Sequence, residues 1–172
     1  ITVGEQPEFT VHGEFRLLTY RDRAAGGAHL ALVRGAPGPG NDALVRVQEL
    51  ASPIDLIDTK RGSHSWSVHK ALAAIASSGC GALVLVNCSN AGVPVAPAQG
   101  DGAAVKRPAM DLRSYGIGAQ ILRDVGVGRM RLLSRPVKLP SMGGFSLQVT
   151  GFAHESEPGT EVPLPQGGIN VG

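Results

Sequence analysis

A carboxylate and a guanidinium two residues apart, Asp111 and Arg113, stand where an apolar helical period begins. A carboxylate at that place either accepts the free backbone N–H groups of a helix start or acts as a general base. The capping role outweighs the catalytic one, because every helix start needs such an acceptor. Arg113 either holds a phosphate or forms a surface pair with Asp111 or Asp124, and the sequence leaves both open. Beside a helix N-terminus, Arg113 and Lys138 would favour an anion. Taken alone, Lys138 reads as a solvated loop lysine.

Other reactive side chains do not assemble into a motif. His64 and His69 are five apart, which does not place two imidazoles on one helix face. Cys80 and Cys88 are the only cysteines, and neither has a basic neighbour in sequence that would activate a thiol. No Gly-x-Ser-x-Gly elbow and no phosphate loop ending in Gly-Lys-Ser/Thr is present, and Gly116-Ile117-Gly118 is not a dinucleotide fingerprint. No cofactor and no metal are expected from these residues.

The elements that must position these groups follow from periodicity. Phe9–Tyr20 reads as strand broken at Gly13, with a hairpin turn at Gly26-Gly27 and further strands at His29–Arg34 and Ala43–Gln48. Val68, Leu72, Ile75 and Ala76 recur at helical spacing within Ser65–Ser78, and Gly79 suits a C-terminal cap. Ala82–Val86 is a continuous apolar run of the buried-strand kind. Asn87–Arg107 reads as loop. A second helix is expected over Asp111–Val125, with Tyr115, Gly118, Ala119, Leu122 and Val125 on one face and its small residues close to a sheet. Arg129–Ser134 and Phe145–Phe152 read as the last strands. Trp66 is expected to pack in the core. This order predicts an α+β (mixed α/β) domain with a mixed, mostly antiparallel sheet and two main helices.

Composition sets the class. The chain has 172 residues, 42% hydrophobic and 17% charged, enough for one globular core. A formal charge of +2 without basic blocks excludes a nucleic-acid footprint. No apolar run approaches the roughly 18 residues that cross a bilayer. Two cysteines do not make a disulfide framework, so a cytoplasmic setting is expected. Residues 1–8 read as a linker remnant of a longer protein, residues 9–152 as the domain, and residues 153–172, rich in Pro and Gly, as a flexible tail.

The block Asp111-Leu-Arg-Ser-Tyr-Gly-Ile-Gly-Ala-Gln-Ile-Leu and its continuation to Ser134 resembles GTP cyclohydrolase II. His29-Leu-Ala-Leu-Val-Arg-Gly35 and Val45-Arg-Val47 match the family in the same order, so the resemblance covers nearly all of residues 9–152. It implies the family's fold and a homodimer. In the family three cysteines hold a catalytic zinc, and those positions fall here on Ala51, Gly62 and His64. The family's nucleotide loop aligns with Asn87–Val95, where its Glu and both Arg are absent, and the shortened segment directly after it contains no tyrosine. What the resemblance retains is Asp111, the family's proposed general base; Arg113, near the α-phosphate; Arg46 and Lys138, around the triphosphate; and Ser134, where the family has Thr.

Those losses imply a degenerate, zinc-less domain of a riboflavin-biosynthesis protein, inactive in GTP ring opening. Its expected role is structural or regulatory, for a fused or associated 3,4-dihydroxy-2-butanone 4-phosphate synthase. The alternatives are a module that binds GTP or another phosphate ligand without turnover, or a cyclohydrolase with a rebuilt site.

Overall fold

The computed structural model describes residues 2–50, 56, 66–88, 110–136, 139 and 143–153. Seven strands form one sheet: β1 (Thr2–Thr10), β2 (Gly13–Arg21), β3 (Ala28–Arg34), β4 (Asp42–Glu49), β5 (Gly81–Val86), β6 (Arg129–Leu133) and β7 (Gln148–Ala153). Helix α1 (Val68–Ser78) lies between β4 and β5 in sequence, and α2 (Leu112–Asp124) between β5 and β6. The spatial order is β1-β2-β3-β5-β4-β6-β7.

Two hairpins and the β3–β5 pair make one half antiparallel. The β5–β4, β4–β6 and β6–β7 pairs are parallel. The sheet is therefore mixed, as expected, but evenly divided rather than mostly antiparallel. For β4, β5 and β6 the cause is the helical connections: a chain that returns through a helix re-enters the sheet in the same direction.

β5 sits at the centre and all six of its residues are buried. Its side chains alternate between two cores. Ala82, Val84 and Val86 pack with Ala119, Ile121 and Leu122 of α2. Leu83 and Leu85 pack with Leu72, Ile75 and Trp66 around α1. The helices therefore cover opposite faces, which is why the sequence here is a continuous apolar run rather than an alternation.

Both helices start on side-chain caps legible in the sequence. The Ser67 hydroxyl accepts the Lys70 N–H at 3.1 Å and Gly79, at φ 78°, closes α1. The buried face of α2 is Ser114, Gly118, Ala119, Ile121 and Leu122, so Tyr115 is only half-buried and Ile121 takes the inward place. Gly118 lies against the sheet: a Cβ there would stand 2.9 Å from Val47 Cγ1.

Two boundaries differ from the sequence expectation. Residues 2–8, expected as a linker remnant, form most of β1 and pair with β2. This strand is at the sheet edge with exposed side chains on both faces, so it carries no burial alternation, and an edge strand tolerates Pro7. Gly143–Phe145 is a short 3-10 turn, and β7 begins only at Gln148. Residues 89–107 of the expected loop, and the expected tail beyond Ala153, lie outside the described residues.

Two glycine substitutions should separate packing from helix propensity. A Cβ at Gly81 lands on the Leu44 carbonyl oxygen in the next strand, whereas one at Gly116 meets nothing within 4 Å. In urea unfolding, Gly81→Ala should lose about 2 kcal/mol. Gly116→Ala should gain about 0.8 kcal/mol.

Candidate functional site

The carboxyl-terminal ends of parallel strands β4, β5 and β6 share one rim of the sheet, and the α2 N-terminus points to it. In open α/β sheets that rim is where ligands bind. Asp111 is the α2 N-cap: its Oδ1 accepts the Ser114 N–H at 2.7 Å. That hydrogen bond, with a second from the Ser114 hydroxyl, holds its carboxyl below the usual carboxylate range. Asn87, just past β5, adopts φ 60°, a conformation Asn accepts more readily than most residues. Its amide donates to Glu49 Oε1 at 2.6 Å and to Ser114 Oγ at 3.1 Å. The Asn87 backbone N–H donates to His29 Nδ1 at 3.0 Å. A continuous polar chain thus runs from β3 through the ends of β5 and β4 to the α2 N-terminus.

Arg113 is turned away from this chain. It pairs with neither Asp111 nor Asp124 but with Asp22, in the β2–β3 turn, at 2.8 Å. The Ala24 N–H and then Arg113 hold the Asp22 carboxyl below its ordinary range. At the other end of α2, the Tyr20 hydroxyl donates to Asp124 Oδ2 at 2.8 Å. The helix is therefore fastened to the β2–β3 hairpin near both of its ends.

Arg46 lies on the α1 face of β4, opposite Asp111. Its buried guanidinium donates to the Leu133 carbonyl at 2.9 Å and makes longer approaches to Gln48 Oε1 and the Trp66 carbonyl, while its Nε has no partner among the described residues. Burial lowers its pKa to about 10, with Tyr115 acting in the opposite direction. Trp66 is a core residue as expected, and its indole N–H donates to the Ala153 carbonyl at 2.9 Å. The Ser134 hydroxyl donates to the Arg135 carbonyl. Ala51, Gly62, His64 and Lys138 lie outside the described residues.

The structure thus brings Asp111 and Arg113 together on one helical turn and puts Arg46 on the other face of the sheet. His69 stacks edge-on with His12, ring centroids 6.1 Å apart. Cys80 and Cys88 are free thiols, and burial pushes both up. Sequence reading missed Glu49, Asn87 and His29 as one network. The only signals were a histidine opening a buried strand and an asparagine closing one.

With that geometry in place, the comparisons are consistent. The family model for GTP cyclohydrolase II matches residues 3–154, and the chain belongs to that family. A 3,4-dihydroxy-2-butanone 4-phosphate synthase of Neisseria meningitidis serogroup A is 37% identical over 150 residues, covering 87% of this chain and 41% of that protein. Riboflavin biosynthesis protein RibBA of Phocaeicola vulgatus is 33% identical over 153 residues, covering 81% of this chain and 38% of that protein. A crystal structure of RibBX, a two-domain 3,4-dihydroxy-2-butanone 4-phosphate synthase from A. baumannii, is 27% identical with a TM-score of 0.57, covering 90% of this chain and 40% of that one. The chain spans about two-fifths the length of the curated relatives it matches. Its relatives place it among riboflavin-biosynthesis proteins, as a GTP cyclohydrolase II-like domain. Among the described residues, no helix is long and apolar enough to cross a membrane.

Two measurements test the polar rim. Asp111→Ala should lower the urea midpoint, while Asp111→Ser, which still caps, should keep most of it. Burial holds His29 below its ordinary value of 6.5, so the unfolded chain takes up the proton first. The His29 contribution is therefore complete above about pH 6.5 and is lost as pH falls from there through the lower folded value. In His29→Gln, whose amide oxygen can still accept from Asn87, that part of the pH dependence should vanish from a urea-midpoint profile.

Proposed function

We propose that this chain is a GTP cyclohydrolase II-like domain that has lost GTP ring opening. Its role is structural or regulatory for a 3,4-dihydroxy-2-butanone 4-phosphate synthase, fused to it or associated with it. The observation that carries this reading is the state of the retained pair. Asp111, the family-equivalent base, caps its own helix, and Arg113 is held by Asp22. Arg46 and Ser134 also spend hydrogen bonds on backbone carbonyls of their own chain.

The zinc positions support the same conclusion. Ala51 and Gly62 have no donor atom, and His64 supplies one imidazole. A catalytic zinc site needs about three protein ligands and an open position. This donor set does not fit the ion, so the zinc-bound water that the family's hydrolysis requires has no counterpart here. A synthase partner is supported by the names of the relatives, whose greater length leaves room for a second domain. A cytoplasmic location and a homodimer complete the reading, from cysteine usage and family resemblance.

Metal analysis of the purified protein, with a GTP turnover assay with and without added zinc, tests it. Well under one equivalent of zinc and no turnover are expected. One tightly bound equivalent accompanied by ring opening would sink the proposal.

A second reading, a phosphate- or nucleotide-binding module without turnover, is favoured by Arg46. Its described hydrogen bonds go to neutral oxygens, its Nε is unpaired, and it lies close to the rim. A buried charge in that position gains from an anion. In thermal unfolding, GTP at a hundred times its Kd should add about 2.7 kcal/mol if it binds. Arg46→Met should abolish the response, and an unmoved melting curve in the native protein leaves Arg46 as scaffold.

A further inference from the structure

β1 ends the sheet on its antiparallel side and pairs with β2 alone among the described strands. Its outer edge therefore offers main-chain N–H and C=O groups that no described strand takes up. Pro7 has no N–H to give to β2, so its main chain faces outward, and Glu5 and Phe9, two residues to either side, face outward with it. The strand also carries exposed apolar side chains. Of the five large apolar residues exposed among the described ones, Val3, Phe9 and Val11 lie on β1 and its turn to β2, at 61%, 75% and 86% exposure. An open edge with exposed apolar side chains is a place where a strand of another chain adds.

The order of charges and donors along the edge selects the occupant. Two identical strands that pair antiparallel have a two-fold axis at one residue, which then meets its own copy. Centring on Glu5 or Glu8 would set two like carboxylates opposite each other. Centring on Pro7 would place two residues without an N–H where the central ladder bonds belong. Centres nearer either end shorten the overlap. Gln6 has none of these faults. About Gln6, Glu5 lies opposite Pro7 of the second copy and Glu8 opposite its Gly4, so no carboxylate faces another. The Glu5 N–H then donates to the Pro7 carbonyl, and Phe9 comes beside the exposed Val3 of the other copy. Glu5 keeps its own counter-ion, Arg16 of β2, at 3.1 Å. Pro7 thus restricts the register of the edge without closing it.

We propose that β1 is the interface between two copies of this chain, paired antiparallel about Gln6 into one continuous sheet. The inference rests on the homodimer of the function proposed above, for which it supplies the surface, and does not depend on the loss of ring opening.

The test is covalent trapping of that register in the whole protein. Gln6 turns its main chain to β2, so it and its copy form a non-hydrogen-bonded pair with Cα atoms about 4.5 Å apart, within reach of a disulfide. Under mild oxidation Gln6→Cys should give a covalent dimer on a non-reducing gel, and the native protein, with Cys80 and Cys88 only, should not. Glu8→Cys should not either, because in this register position 8 and its copy stand roughly 14 Å apart along the strands, too far for a disulfide. Phe9→Lys, at an exposed position, should weaken dimerisation roughly 10-fold in sedimentation equilibrium, since the two-fold axis repeats each lost contact with Val3. Its far-UV circular dichroism should match the native protein. A dimer that Phe9→Lys leaves intact and Gln6→Cys does not trap overturns this interface and spares the homodimer. Trapping through Glu8→Cys overturns the register about Gln6. A protein that stays monomeric at its highest soluble concentration overturns both the interface and the homodimer.

Discussion

The double burial of β5 is the constraint from which the rest follows. A strand with six buried residues must have a cover on each face, and among the described residues the helices on either side of it in sequence supply that cover. α1 satisfies Leu83 and Leu85, and α2 satisfies Ala82, Val84 and Val86. Each helical return also forces a parallel strand, so β4, β5 and β6 end at one rim. The close seat of α2 depends on Gly118 against Val47. With a larger residue there the helix would lift, and its N-terminus would leave Asn87.

That seat explains how charged residues are used. α2 is fastened by Arg113 to Asp22 and by Asp124 to Tyr20, both in the antiparallel half of the sheet. The hairpin half thus orients the helix that the parallel half buries. The Arg113 side chain is largely exposed, so its ion pair contributes little to stability. Its effect is to choose a direction for a side chain that the family resemblance associates with phosphate.

Much of this architecture was readable from local chemistry. The Val68, Leu72, Ile75 period and Gly79 marked α1, Asp111 marked the start of α2, and Ala82–Val86 announced the central strand. β1 was not readable, because an exposed edge strand containing Pro7 and two glutamates has neither alternation nor burial to betray it. The partner of Arg113 was missed for a different reason. Asp22 is 91 positions away, and only the packed sheet brings the two together. The same holds for His29, Glu49 and Asn87, which come from three strand ends and become a network only in three dimensions.

The His29–Asn87 hydrogen bond ties the end of β5 to the protonation state of one buried ring. The imidazole's Nδ1 lone pair serves the end of β5, and its Nε2 is buried without a hydrogen-bond partner among the described residues. A ring can accept at Nδ1 only while it is neutral and in that tautomer. A second proton, or a shift of the first to Nδ1, replaces the acceptor by a donor facing another donor and expels the asparagine amide. Asn87 also holds Glu49 and Ser114, so the disturbance would spread to the first turn of α2. By thermodynamic reciprocity, whatever steadies the neutral ring that accepts at Nδ1 also steadies the strand end it serves.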